Sequence, residues 1–384
     1  SCLQGSNKNS SENGVIMAPS KSKEKKEKAK TSRRKSGSQT KKDTTSTVSE
    51  GKSPTEVADQ LLKAKSRPQM YDLLKGHAAF NVPEFVKNLP VNVRLPIPIR
   101  DNRRVLCGSD EEFFPGQYVR MEGAEYIIVQ APTKKSSKLI WRVILKDHIR
   151  ILVCLCHDEQ MSGSDDGKCY TYFPTELEQK MEAELMKGTL SIVCKAREGL
   201  SMGATKYELE LTDSEVVIDK NSDDPNASNY KSHRLIVFHM NTWSGQKPTS
   251  GNALEQAQNV ALFFREVKKF EMDILRKSME NFVPPVMLQS FDGINRASTG
   301  WVALMLLRDV EKRECFDVPS LIKAIMKFRN GSISTYYQFC FCMAVCLNIG
   351  KHTNWCANDC STALTDLMEK FGNRKLNELG NLAV

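Results

Sequence analysis

From residue 118 onward, strand-like and helix-like segments are segregated along the chain, and this order restricts the fold more than any other feature. Short runs rich in β-branched and aromatic residues at 118–121, 125–130, 149–156, 189–194, 205–211 and 233–240 read as strands. Long helical periodicities follow at 253–279, 299–312, 318–328 and 336–347. Strands first and helices last, without alternation, predict an α/β domain whose helices cover a mixed, twisted sheet.

Charge separates this region from what precedes it. Residues 1–52 hold thirteen Lys/Arg against five Asp/Glu, which accounts for +8 of the chain's net +9. Residues 1–53 contain few large apolar side chains, so burial cannot offset the entropy of ordering them, and a disordered basic tail is expected. Its run 21–42 suits a solvated tail first, and weak contact with nucleic acid or an anionic membrane second. Folding is expected over 54–350, opening with short helices at 55–65, 70–74 and 80–89. A C-terminal helical extension, 351–384, contains a helix at 361–371 that Gly372 closes.

No apolar run reaches the roughly 18 residues needed to span a bilayer. The longest, 336–349, is interrupted by Gln338 and Asn348 and reads as a buried helix. Residues 1–20 contain no apolar signal region, so the twelve cysteines are expected to be reduced, in a cytoplasmic or nuclear protein. Cys154 and Cys156 are placed on one face of a strand, and Cys340, Cys342 and Cys346 in the core. His352, Cys356 and Cys360 step by four, but no second ligand pair stands nearby, and neither metal nor cofactor is expected.

The chemically informative stretch is 284–296, Pro-Pro-Val-Met-Leu-Gln-Ser-Phe-Asp-Gly-Ile-Asn-Arg. An apolar strand enters a short loop, and a helix starts near Arg296. Such a junction turns backbone N–H groups and the positive end of a helix dipole toward one point. Gly293 permits the tight turn, and Arg296 offers a forked pair of donors for a phosphate.

This segment resembles the His-Cys-x5-Arg signature of the protein-tyrosine-phosphatase family. Further blocks resemble that family in the same order: Tyr126 to Pro132, Trp141, Lys168 to Pro174, Arg234 to Trp243 and Thr335 to Phe339. The resemblance implies one domain with a highly twisted mixed sheet flanked by helices. It also implies two-step chemistry, in which a Cys thiolate attacks phosphotyrosine while an Asp protonates the leaving phenolate, and a Gln positions the water that follows.

Carried over residue by residue, the nucleophile position is Ser290, preceded by Gln289 where the family has His, and an alcohol there lacks an evident base. The general-acid position is Gly245, and the hydroxyl after the Arg is replaced by Ala297. The aromatic substrate-recognition position is Arg94. Within the phosphate-binding segment Ser290, Phe291, Asp292, Gly293, Ile294, Asn295 and Arg296, Asp292 brings a carboxylate; pairing with Arg296 would let it fill the site internally. Ser334 replaces the first Gln of the late loop, whereas Gln338 keeps the water-positioning place. The expectation is a pseudophosphatase that binds or scaffolds phosphotyrosine proteins or kinases. The alternative is an active phosphatase with relocated groups.

Overall fold

Strands buried on both faces read as continuous apolar runs, and the centre of this sheet is built from four of them. The structure, a computed structural model, describes residues 103–107, 113–164, 167–214, 232–243, 253–277, 283–312, 317–329 and 331–355. The expected helices at 55–65, 70–74, 80–89 and 361–371, the tail, Arg94, Gly245, Cys356 and Cys360 lie outside these residues.

The strands are β1 (Gly116–Met121), β2 (Ala124–Gln130), β3 (Ile151–Leu155), β4 (Met161–Ser162), β5 (Cys169–Tyr170), β6 (Lys180–Glu184), β7 (Thr189–Leu200), β8 (Ala204–Asp213), β9 (Ser232–His239) and β10 (Val286–Ser290). The helices are α1 (Ser137–Lys146), α2 (Ala253–Lys277), α3 (Asn295–Lys312), α4 (Val318–Phe328) and α5 (Tyr336–His352). Eight strands form one twisted mixed sheet in the order β1-β2-β10-β3-β9-β8-β7-β6. The central four, β2, β10, β3 and β9, are mutually parallel, and the flanking pairs are antiparallel.

This arrangement corrects one expectation. Strands and helices do alternate at the centre, because β2–α1–β3 and β9–α2–β10 are both parallel crossovers. Parallel neighbours require such a connection, since a tight turn reverses the chain. Four elements went unanticipated: α1, the two-residue strands β4 and β5, and edge strand β6, whose apolar members Met181 and Ala183 carry little β propensity. In addition, α3 starts at Asn295 and α5 runs on to His352.

Helices cover both faces of the sheet. One layer packs α2, α3, α4 and α5 against Ile128, Val153, Phe238 and Leu288. The other packs α1 against Ile127, Leu152, Val237 and Met287. Helix α3 lies between the sheet and its neighbours with apolar residues on all sides, as a fully buried helix requires. Its Gly300 lets α2 approach, since a Cβ there would stand 2.5 Å from the Phe264 ring. Cys340, Cys342 and Cys346 are core residues of the first layer, as expected. Among the described residues, no helix is long and apolar enough to cross a membrane.

Candidate functional site

Strand β10 ends at the carboxyl edge of the parallel centre, where Ser290 is in register with Gln130 and Leu155. Loops at that edge of an open α/β sheet are where ligands bind. Period-two alternation sends successive side chains to opposite faces, so Ser290 shares the face of Leu288 and Gln289 that of Met287. The two neighbours therefore belong to different chemical environments.

Gly293 shapes the loop for two reasons. Its φ of +67° is disfavoured for side-chain-bearing residues, and an added Cβ would lie 2.6 Å from the Gln130 backbone nitrogen. The Ser290 carbonyl accepts from Ala131 N–H at 2.8 Å and from Gly293 N–H at 3.1 Å, which joins the loop to the end of β2.

Within the loop, the Asp292 carboxylate gathers the donors. Its Oδ1 accepts from Ser290 Oγ–H at 3.0 Å, Ile294 N–H at 2.9 Å and Asn295 N–H at 3.4 Å. Its Oδ2 accepts from Asn295 Nδ2 at 3.0 Å. The Ser290 oxygen itself accepts from Gly293 N–H at 3.1 Å. Two expectations are corrected here. Asp292 does fill the loop, but amides, an alcohol and Asn295 hold it, not Arg296. Ser290 also has a base within reach, the carboxylate of Asp292. Both contacts are local, and an Asp just before a helix reaches such amides without any tertiary help.

Arg296 is 6% exposed and spends its donors elsewhere. It donates to the Trp243 carbonyl at 2.8 Å and to Gln160 Oε1 at 2.6 Å. Both acceptors are neutral. Trp243 is buried against the Phe341 ring at 5.4 Å, so the guanidinium ties α3 to the end of the segment after β9.

A second buried guanidinium supports the loop from behind. Arg329, fully buried, donates from Nε to the Gly293 carbonyl at 3.1 Å and from Nη1 to Gln117 Oε1 at 3.4 Å. Burial lowers its pKa to about 10, and the nearby Asp292 charge acts in the opposite direction. Asn295 then links the loop to the segment before α5, accepting at Oδ1 from Ser334 N–H at 3.0 Å and from its hydroxyl at 3.2 Å. The Ser334 hydroxyl also bonds Gln338 Oε1 at 3.0 Å. Gln338 and Thr335 form a reciprocal cap at the start of α5, with Thr335 N–H donating to Gln338 Oε1 at 3.1 Å.

On the opposite face, Gln289 is the hub of a thiol pocket. Its Nε2 approaches Cys154 and Cys156 Sγ at 3.7 Å and Cys169 Sγ at 3.6 Å, while Tyr172 O–H donates to its Oε1. Hydrogen bonds from Cys154 and Cys169 hold the Cys156 thiol well below the usual range, and Cys154 is raised in return. These thiols lie in the α1 layer, across β10 from Ser290.

The structure thus gathers Ser290, Asp292, Gly293, Ile294 and Asn295 in one loop with Phe291, turns the Arg296 guanidinium away to Trp243 and Gln160, and reaches Gln338 through Ser334. Gln160, Gln117, Arg329 and the Trp243 carbonyl were missed from sequence, since each is an ordinary polar group until the fold aims it. The capping role of Gln338 was legible in the Thr335-x-x-Gln338 spacing.

A family model described as protein-tyrosine phosphatase matches residues 88–348. Tyrosine-protein phosphatase non-receptor type 20 of Mus musculus is 22% identical over 274 residues, covering 70% of this chain and 56% of that protein. The Rattus norvegicus protein of the same name is 20% identical over 253 residues, covering 65% and 52%. Tyrosine phosphatase H3 of Microplitis demolitor bracovirus is 22% identical over 238 residues, covering 61% and 65%. The chain spans between about half and two thirds of the length of these relatives.

Proposed function

Since the chain belongs to the protein-tyrosine phosphatase family, we propose that its domain keeps the family's scaffold for binding and has given up hydrolysis, acting as a pseudophosphatase. The observation that carries this reading is the state of Ser290. Its hydroxyl, at the position matched to the family's nucleophile, donates a hydrogen bond to Asp292 Oδ1 and accepts from Gly293 N–H, so it is engaged on both sides.

Chemistry supports the reading at each step. A thiol is a few per cent ionised near neutrality and intrinsically nucleophilic, whereas an alcohol depends on a base that takes its proton during attack. Asp292 is close enough to be that base, yet it stands among the amides where the substrate's phosphate would have to enter. Two unit charges about 4 Å apart repel by roughly 4 kcal/mol at an effective dielectric near 20, and a phosphate dianion roughly doubles that. Base and substrate therefore compete for one place. The thiols Cys154, Cys156 and Cys169 face the other layer and do not replace the missing nucleophile.

The Ser290–Asp292 contact also favours the rival reading, an active phosphatase with relocated groups. Release of inorganic phosphate from p-nitrophenyl phosphate and from a tyrosine-phosphorylated peptide separates the two. The purified chain is expected to stay at the buffer rate with both substrates. Turnover that Asp292→Asn abolishes would establish the rival. As a binding module, the domain would scaffold kinases or other signalling proteins, and the basic run 21–42 would add weak contact with nucleic acid or anionic lipid.

A further inference from the structure

We infer that Cys156 and Cys169 are a reversible thiol–disulfide pair, and that their oxidation by a hydroperoxide staples the segment that supplies Gln160 to Arg296.

The three thiols behind β10 are fully buried, and each is in the thiol form. Cysteines often fill a core simply as small apolar groups. Here they surround a polar hub, because Gln289 Nε2 stands 3.6–3.7 Å from all three sulfurs, and packing alone does not call for an amide there. Cys154 and Cys156 cannot bridge each other. Two residues apart along extended chain, their Cβ atoms are about 6.6 Å apart, and a disulfide needs about 4.5 Å or less. Cys156 also hydrogen-bonds Cys169, which leaves Cys156–Cys169 as the pair in contact that can join.

Both partners are pinned to the sheet. His239 Nε2 holds the Cys156 carbonyl at 2.8 Å, and beside Cys169 the Tyr170 N–H donates to the Pro132 carbonyl at 2.9 Å. Hydrogen bonds from the neighbouring thiols favour the Cys156 thiolate, the reactive form. Solvent is also close, since Asp158 and Lys168, near Cys156 and Cys169 in the chain, are exposed. A peroxide is scarcely larger than water, so burial slows its entry without changing the product.

In the first step the Cys156 thiolate attacks one oxygen of hydrogen peroxide. An S–O bond forms, the O–O bond breaks, and the departing hydroxide takes up the proton the thiol had lost, leaving a sulfenic acid and water. The Cys169 sulfur then attacks the Cys156 sulfur. An S–S bond forms, the S–O bond breaks, and hydroxide leaves with the Cys169 proton as a second water. The two thiols lose two electrons, and the peroxide gains them. Thiol–disulfide exchange with a small thiol such as glutathione reverses the change.

The disulfide closes a ring of fourteen residues, 156–169, with Gln160 inside it. Gln160 Oε1 accepts from Arg296 at 2.6 Å and from His157 N–H at 3.1 Å. Closing the ring removes chain conformations in which Gln160 leaves Arg296. Oxidation therefore tightens the tie between α3 and this segment.

Hydrogen peroxide added to the full folded chain tests this, followed by alkylation of the remaining thiols and tryptic mass spectrometry without reduction. Peptides 151–168 and 169–180 are expected as one species, with fragmentation placing the bridge on Cys156 and dithiothreitol separating the two. Cys154→Ala should keep the linked species, and Cys156→Ala should lose it. The oxidised chain should melt about 5 °C or more above the reduced chain. Amide exchange at 157–162 should slow at least about threefold. Where a variant melts without cooperativity, fragmentation of the unaltered chain's peptide decides the pairing by itself.

Absence of the linked species from the folded chain would overturn the inference. So would a bridge on Cys154, or a link that forms only after unfolding in urea. A link that leaves both the melt and the exchange at 157–162 unchanged would overturn the stapling of Gln160.

Discussion

The two faces of β10 differ more than adjacent residues usually do. On one face, Ser290 opens onto a loop whose donors converge on the Asp292 carboxylate. On the other, Gln289 is sealed among Cys154, Cys156, Cys169 and Tyr172 with no exposed surface. In both places a side chain from 289–292 fills a polar space with its own oxygen. The thiol pocket is closed by packing, however, whereas the loop is closed by a half-buried carboxylate that one substitution removes. Two polar spaces on one strand can thus be closed in different ways, one by distant packing and one by a carboxylate of the same loop.

The strongest blow to this comparison should come from Gly293→Ala, because Gly293 holds the loop against β2. A positive φ together with a backbone clash at 2.6 Å should cost about 3–5 kcal/mol. At about 2–4 °C per kcal/mol for a domain of this size, the melting temperature should fall by on the order of 10 °C. An unchanged melt would mean that the loop does not lie against Gln130.

Next in size is Gln289→Leu, which keeps the volume of the hub but leaves the buried Tyr172 hydroxyl without an acceptor. A loss of about 1–3 kcal/mol is expected in urea unfolding, since an orphaned buried donor keeps its desolvation penalty. Gln289→Leu combined with Tyr172→Phe should recover most of it. Failure of that rescue would show that the thiols, and not the tyrosine, depend on the glutamine.

Asn295→Ala cuts the link between Asp292 and Ser334 and should cost about 1–2 kcal/mol. Faster amide exchange at 331–335, with little change in β10, would place the link where the structure has it. Uniform exchange across both would deny it a local role.

The smallest effect concerns turnover. Under the proposed reading, Ser290→Cys puts a thiol at the end of β10, but Asp292 still holds the amides, and phosphate release should remain at background. A Cys variant that hydrolyses p-nitrophenyl phosphate would show that the carboxylate yields readily to substrate.

Much of this was legible before any coordinates. The blocks at 126–132, 168–174, 234–243 and 284–296 carry local chemistry, such as an apolar strand, a Gly turn or a helix start, and these survive as β2, β5, β9, β10 and α3. The insertion of β10 between β2 and β3 was not legible, because a five-residue strand does not say which strands will flank it. The destination of Arg296 was also hidden. Its acceptors, Gln160 and the Trp243 carbonyl, lie 136 and 53 residues away, and only the fold brings them within reach.

Sequence alone determined which side chains stand at 289–296, that Gly293 could turn, and that the residue after Gln289 is a serine. Asp292 reaches its neighbouring amides locally, whereas tertiary structure decided what the others satisfy: Arg296 two distant neutral oxygens, and Gln289 three thiols on the far face. The reason is that a buried polar group must find partners once water has gone, and the partners within reach are set by how strands and helices pack.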